Sequence, residues 1–447
     1  MCESHFDFYN NVNDNKAMLI SDFLTKNTSI INLNFGPGLI TCDEAKCISK
    51  ALVENTLLQS LDLSNNVIEY GGAASISNVL AVNTSLKYLY LGYNSIYDDG
   101  TTLIANSLKK NTSLIHLDIG GNSISSISTK IISELLIKNT SLTHLDLCFN
   151  KISNDGAISL SNSLVKNTSL IHLDLLDNLI SDIGATSILN SLVENASLKY
   201  LNLGGNEISE NIAPIISNTL IKNASLTALD LGSNKISINI MTAISNSLTK
   251  NTSLVHLNLS NNSISNDGIT SISNALLKNT SLKMLDLSLN SITEVGATSI
   301  ANALLKNTSL THLVLNDNDI ADTGTTSISD SLFRNTSLIH LNLHYNTISD
   351  DGIISISKAL IKNTSLTYLN LNLNDITDDG ATLILQALVK NTQLKNFYYD
   401  TDSRISWNIK SSIEYELIIN RNDDLRVKKR KMLLSWLPIK LLYLQKI

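Results

Sequence analysis

Proline is nearly absent from this chain, with three residues in 447. Together with 43% hydrophobic residues, that excludes a disordered or linker-like chain. Cysteine is scarce as well. Cys2, Cys42, Cys47 and Cys148 recur with no period, so a disulfide-stapled secreted scaffold is excluded and free thiols in a reducing compartment are expected. No apolar run approaches the ~20 residues of a membrane span. The nearest, 432–444, is broken by Pro438 and Lys440. The first 26 residues hold no basic segment followed by an apolar one, so a cytoplasmic location is expected. The net charge of −7 is mild and dispersed, which argues against a nucleic-acid partner. Also missing are a phosphate-cradling glycine loop, a G-x-S-x-G elbow, an H-E-x-x-H helix and a Cys/His nucleophile pair. No enzymatic activity, cofactor or metal is therefore expected.

What the chain has in abundance is one phrase. Asn-Thr-Ser-Leu, or a near variant, begins at Asn27, Asn55, Asn83 and every 28 residues onward to Asn391, fourteen times without insertion or deletion. A fixed period of this size means one supersecondary unit stacked many times. Twelve of the fourteen phrases also spell an N-glycosylation sequon. With no export signal, a helix-to-strand turn is the expected meaning.

The repeat from Asn251 shows the parts. Leu257 and Leu259 alternate with His256 and Asn258, the period of a short strand. Beyond Ser265, a plausible N-cap residue by type, Ile269, Ile272 and Leu276 recur at helical spacing. Asp267 near the start and Lys278 near the end suit the helix dipole. Strands repeat every ~4.8 Å and helices every ~8–10 Å, so such a stack must curve with its sheet inside. Asn66, Asn94, Asn122 and their successors to Asn374 form a column whose amides are expected to bridge backbones of neighbouring repeats. The spacing L-x-x-L-x-L-x-x-N-x-I, as in the stretch from Leu58 to Ile68, is the leucine-rich-repeat signature. With a full helix per period, the chain resembles the ribonuclease-inhibitor-like class, seen also in the repeat regions of NOD-like receptors and of Ran GTPase-activating proteins. The resemblance spans residues 27–400 or so. It implies an α/β leucine-rich-repeat solenoid, a curved horseshoe with a parallel sheet on the concave face and helices on the convex face, that binds other proteins.

The pattern frays at both ends. Ala17, Ile20 and Leu24 match later helix positions, so residues 1–26 read as an N-terminal half-repeat cap. Residues 27–402 are the solenoid. Asp402 stands in the asparagine column, and 403–447 read as a degenerate C-terminal cap and tail. The tail carries a basic run, 426–431, followed by apolar residues: a solvated cap segment, a nuclear-localisation patch or a surface anchor. Most helices start near a glycine, such as Gly72 or Gly100, but Ser128, Ile212 and Ile240 replace it.

Function is sought in what faces inward and does not repeat. His116, His144, His172, His256, His312 and His340 share one column, with Asp118, Asp146 and Asp174 two residues on. These are metal-ligand types, but a flat face presents side chains in parallel, and no metal is expected. The histidines would make the surface charge change at about pH 6–7. Tyr88, Tyr90 and Tyr93, then Cys148 and Phe149, then His340, His344 and Tyr345, break the repeat; exposed aromatics are typical interface anchors. The expected partner-binding residues are Tyr88, Tyr90, Tyr93, His116, His144, Phe149, His172, His340, His344 and Tyr345. Asp62, Asp118, Asp146, Asp174, Asp230 and Asp286 point to a partner protein with a basic surface. The lysines ending most repeats read as helix-dipole complements. A monomeric binding scaffold is expected, with a GTPase-activating regulator as the alternative. Against the alternative, the strand-to-helix loops of the repeats lack arginine and the tail is basic.

Overall fold

The computed structural model describes residues 16–27, 29–399, 405–422 and 425. Asp402, the basic run 426–431 and the apolar stretch after it lie outside the described residues, as do positions 13–15 of the first expected helix. The chain forms two compact units, 1–235 and 236–447. In each, three- or four-residue strands alternate with helices of ten to fifteen residues.

The first unit opens with the expected cap helix, Lys16–Lys26, whose Ile20 and Leu24 are buried. Its strands run from Asn32–Asn34 to Ala228–Asp230, and each pairs in parallel with the next. Register is constant: Leu61 pairs with Leu89, Leu89 with Leu117 and Leu117 with Leu145. A slip of one residue would turn every buried Leu to solvent. The second unit repeats the arrangement from His256–Asn258 to Asn396–Tyr399. One sheet face is covered by the helices, and Leu, Ile and Ala fill the space between. Each fully buried Leu or Ile contributes roughly 1.5–3 kcal/mol. The observed architecture is the α/β solenoid expected.

Two ladders of asparagine hold successive repeats in step. In the expected one, Asn122 Nδ2 donates to Leu91 O (2.9 Å), and its Oδ1 accepts from the backbone N–H groups of Asn94 (3.0 Å) and Ile96 (3.1 Å). The second ladder is the Asn of the sequon-like phrase. Asn307 Nδ2 donates to Leu276 O (2.7 Å) and Asn279 O (3.1 Å), while Oδ1 accepts from Ser309 N (3.0 Å) and Leu310 N (2.7 Å). This Asn is buried from Asn55 to Asn391. The nitrogen a glycan would need is inside the fold and already donating, which is the physical reason the phrase works as a turn.

The helix starts differ in detail from expectation. Ser265 has the extended backbone of an N-cap, but its hydroxyl makes no bond to its own helix. Elsewhere such a hydroxyl caps its helix and joins repeats as well: Ser349 Oγ accepts from Asp351 N (3.3 Å) and donates to Asp322 Oδ2 (2.7 Å), and Ser349 N donates to Asp322 Oδ1 (2.8 Å). Gly72 permits close helix packing, since a Cβ there would lie 2.5 Å from Ile68 Cγ2 and 2.9 Å from Ala45 Cβ. Where Ile212 replaces that glycine, a 3-10 turn, Glu210–Ile212, precedes the helix Ala213–Lys222.

At the far end the helix Trp407–Arg421 follows the last strand. Asn420 Nδ2 donates to Asn391 O (3.0 Å) and Leu394 O (2.9 Å). It stands 29 residues after Asn391 rather than 28, yet makes the ladder's bond, so the ladder outlives the period by one rung. Replacing Asn307 by Ala should strip four buried backbone groups of their partner and lower unfolding stability by about 3 kcal/mol. Urea denaturation measures this, and an unchanged midpoint would mean the ladder is not holding the stack.

Candidate functional site

Strand alternation sends Leu117 inward and presents His116 and Asp118 on the open sheet face. Constant register then stacks like on like. His116 and His144 have ring centroids 5.5 Å apart, His144 and His172 5.4 Å, and His172 and Tyr200 4.0 Å with rings parallel to 1°. Tyr88 starts the row, 6.3 Å from His116. In the second unit His312, His340 and Tyr368 stack at 5.3 Å and 3.7 Å. Tyr200 and Tyr368 were not among the expected site residues, although counting 28 onward from His172 and His340 reaches both.

The stack changes what the histidines can do. Burial, reinforced by the neighbouring imidazoles, pushes His172 and His340 down to about 4. Burial also lowers His116, His144 and His312. His172 and His340 are therefore neutral at physiological pH and do not supply the charge change expected of them. The acids do. Burial first, and then the neighbouring carboxylates, push Asp118 and Asp174 up to about 6.

The Asp and Asn of that column have a structural task the sequence reading missed. Each side chain turns back onto the N–H two residues on: Asp118 Oδ1 accepts from Gly120 N (2.8 Å), Asp146 Oδ1 from Cys148 N (2.8 Å) and Asn202 Oδ1 from Gly204 N (2.9 Å). This Asx turn ends the strand, and Asn performs it as well as Asp. The choice of Asp is therefore not set by the turn. The open strand face of the first unit has Asp at positions 62, 118, 146, 174 and 230 and no Lys or Arg; in the second unit the same column holds Asp286 alone.

The aromatic residues come together in part. Tyr90 lies 4.8 Å from His116, and Tyr93 reaches across one repeat to Phe149, with centroids 6.0 Å apart. The repeat between them offers Gly121, where a Cβ would lie 2.5 Å from the Tyr93 ring. Tyr93 is 48% and Phe149 45% exposed. His340, His344 and Tyr345 belong to the second unit, where His344 and Tyr345 lie 6.4 Å apart.

Backbone conformation adds a signal invisible to pattern reading. Tyr93, Phe149 and Tyr345 have φ of +56°, +52° and +50°. The corresponding residues of other repeats are Asn65, Gly121, Asp177, Gly205, Asn261 and Asp317, types that tolerate the left-handed region, together with Ser233, Leu289 and Leu373. A bulky side chain there costs of order 1–2 kcal/mol, so these aromatics stand where the fold alone would not put them. Among the described residues, no three His, Cys, Asp or Glu side chains group as metal ligands.

With this geometry in hand, comparison with known proteins is direct. The family model described as Leucine Rich repeat matches at 54–77, 82–105, 138–161, 166–189, 222–245, 250–273, 278–301, 306–329, 334–357 and 362–385. A second, described as Leucine Rich Repeat, matches at 197–219. The matched segments make up more than half of the chain, and the protein belongs to the leucine-rich repeat family. No curated protein sequence matches the chain. Among solved structures, an internalin from Listeria monocytogenes is similar at 24% identity, over 85% of this chain and 93% of that one, with a TM-score of 0.51. The yeast Rad7 and Elc1 complex (15% identity, 83% and 86% covered, TM-score 0.48) and the leiomodin-1 actin-binding site 2 (21%, 38% and 96%, TM-score 0.32) are more distant in shape. The internalin supports the fold; the other two carry no argument.

The carboxylates yield a prediction whose sign can be worked out. Folding raises Asp118 and Asp174 to about 6, above the ~3.9 of an unfolded Asp. Between those values the folded chain holds protons that the unfolded chain has released, so stability falls as pH rises toward about 6 and stays reduced above it. Asp118→Asn with Asp174→Asn keeps both Asx turns and removes both charges. The double variant should gain on the order of 5 kcal/mol at pH 8 and much less at pH 4. Urea titrations at the two pH values check this; equal gains at both would refute the assignment.

Proposed function

We propose that this protein is a non-enzymatic scaffold that binds another protein on the open sheet face of its first unit. The observation that carries the reading is the meeting of Tyr93 and Phe149, exposed and left-handed, across Gly121. A bulky side chain is disfavoured at such positions, and in this column of the repeat only Tyr93, Phe149 and Tyr345 place an aromatic ring there. Aromatic anchors with few rotatable bonds are what an interface core uses. Tyr88, Tyr90, His116, His144 and His172 extend the face as a row of rings. His340, His344 and Tyr345 are the corresponding contact residues of the second unit.

The partner's contacting surface is basic. Five Asp share one lysine-free strand face, and burial disfavours the charge of Asp118 and Asp174. A partner's Lys or Arg relieves that penalty, and charge complementarity sets the rate and orientation of encounter. The GTPase-regulator alternative has less support, because Arg334 follows a helix end and Arg421 lies in the terminal helix, neither on a strand-to-helix loop. The free thiols of Cys42, Cys47 and Cys148 suit a reducing, cytoplasmic setting. Within this reading residues 1–26 and 403–447 cap a solenoid of 27–402 and take no part in binding.

Affinity purification with mass spectrometry on the full chain identifies the partner, and the double variant Tyr93→Asn, Phe149→Asn then tests the face. Capture should weaken at least tenfold, as for interface anchors, while the urea midpoint stays level or rises because strain is relieved. Full capture by a well-folded double variant sinks the proposed face. Stimulated GTP hydrolysis by a captured GTPase would favour the regulator instead.

A further inference from the structure

The rim where the helices of the second unit end carries a pattern that neither the fold nor the sheet face uses. Six successive repeats place a base just there: Lys250, Lys278, Lys306, Arg334, Lys362 and Lys390, all exposed. The residue before the base is Thr249 in the first of these repeats, then Leu277, Leu305, Phe333, Ile361 and Val389. Those five apolar side chains are 38–47% exposed, too much for core residues. The sequon-like Asn ladder sets them in rows. Asn335 Nδ2 donates to Leu304 O (2.8 Å), Asn363 Nδ2 to Leu332 O (2.8 Å) and Asn391 Nδ2 to Leu360 O (2.6 Å), tying each helix end to the following turn. Bases and apolar side chains thus recur once per repeat along one edge.

Dipole complementarity favours a cation at a helix end by ~0.3–1 kcal/mol, and it accounts for a lysine there. It gives no reason for an exposed Leu, Phe or Ile beside it, and Lys109 and Thr249 show that this position accepts polar residues. Nor does it account for the difference between units. In the first, Glu54 and Glu194 interrupt the row of bases; in the second no acid does. Among the described residues, the ion pairs involve none of the six bases.

We propose that this rim docks peripherally on an anionic lipid bilayer. The bases lie over the headgroups, and Leu277, Leu305, Phe333, Ile361 and Val389 enter the interface. Charge complementarity chooses an anionic occupant, and the apolar row chooses among anionic occupants. A polynucleotide satisfies the bases and leaves the apolar side chains unused, whereas a bilayer offers phosphate and hydrocarbon side by side. No helix among the described residues is long and apolar enough to cross a membrane, and none is needed for this mode.

Co-sedimentation of the full chain with phosphatidylserine-containing and with pure phosphatidylcholine vesicles tests the proposal. Binding is expected to the anionic vesicles alone and should weaken as salt is raised. Lys278→Gln, Lys306→Gln, Lys362→Gln together should cut it about a hundredfold, at roughly fivefold per charge. Leu305→Ser, Phe333→Ser, Ile361→Ser should cut it about tenfold or more at unchanged charge. Circular dichroism and the urea midpoint confirm that both variants fold. Absence of binding, equal binding to neutral vesicles, or full binding by the Gln variant overturns the proposal; the last is also the outcome were the run 426–431 the anchor. Sensitivity to the Gln changes with indifference to the Ser changes overturns it too, in favour of a soluble polyanion. None of these arms touches Tyr93 or Phe149, so the result stands apart from the sheet-face reading.

Discussion

A primary amide offers two donors and an acceptor with two lone pairs, and this chain uses both capacities twice in every repeat. One Asn sits where the strand turns toward the helix, the other where the helix turns back to the strand. Both turns leave backbone groups facing neighbours rather than partners of their own, and burial of such groups unpaired would cost several kcal/mol per repeat. The amide bridges fix the distance from each repeat to the next at both edges of the sheet. From that constraint follow the constant register and the stacking of like side chains in columns. An added residue between two rungs would strain the bonds that span it, and the period is kept without insertion from Asn27 to Asn391. Asn420 shows the same constraint at its limit. The helix there has lost the repeat's sequence, yet an amide one residue out of step still closes the last open carbonyl.

Because the register is so strict, most of the fold was legible in the chain. Strand, turn and helix fell where alternation and helical spacing put them, and the asparagine column played the bridging role its position implied. What escaped was whatever depends on two repeats at once. Tyr200 was overlooked because it is not a His, although the sheet stacks it on His172. Ser265 resembles an N-cap by residue type but makes no bond to its helix, while Ser349 both caps its helix and bonds the carboxylate of the neighbouring repeat. The pH behaviour of the open face was assigned to imidazoles because their ordinary range is near neutral. Burial and the neighbouring imidazoles move His172 and His340 out of that range, and burial brings two carboxyls into it. Such shifts come from packing, and packing is not written in any single repeat.

A repeat protein also supplies its own control for separating fold from function. Every position is tried many times in the same environment, so a residue that differs from its counterparts and is worse for the fold stands out. Asp in the Asx column meets the first condition and, at 118 and 174, the second, because Asn makes the same turn without a buried charge. Tyr93 and Phe149 meet both through their left-handed backbone, where Asn and Gly occur in sibling repeats. The histidine row meets only the first, since six strands carry it, as many as carry Asp, and its rings rest on one another. In the proposed site His116, His144 and His172 are therefore the wall, and the carboxylates and the two strained rings supply the chemistry.

The same comparison separates the two surfaces by charge. The net charge of −7 describes neither of them. The open strand face of the first unit concentrates acid without a base, and the helix-end rim of the second concentrates base without an acid. Random scatter of charge over equivalent positions would mix signs on both, as it does at Glu54 and Glu194 on the rim of the first unit. Unmixed surfaces are unfavourable to the isolated chain, because like charges repel within ~10 Å at ordinary ionic strength. They become favourable only when something of opposite sign is present. The acid surface also bears aromatic anchors with defined contacts, which suits a partner of fixed shape. The basic one bears an apolar side chain, aliphatic except for Phe333, on five of its six rungs, which suits a surface with no fixed shape. The two patterns of apolar residue, more than the charges, are what tell the surfaces apart.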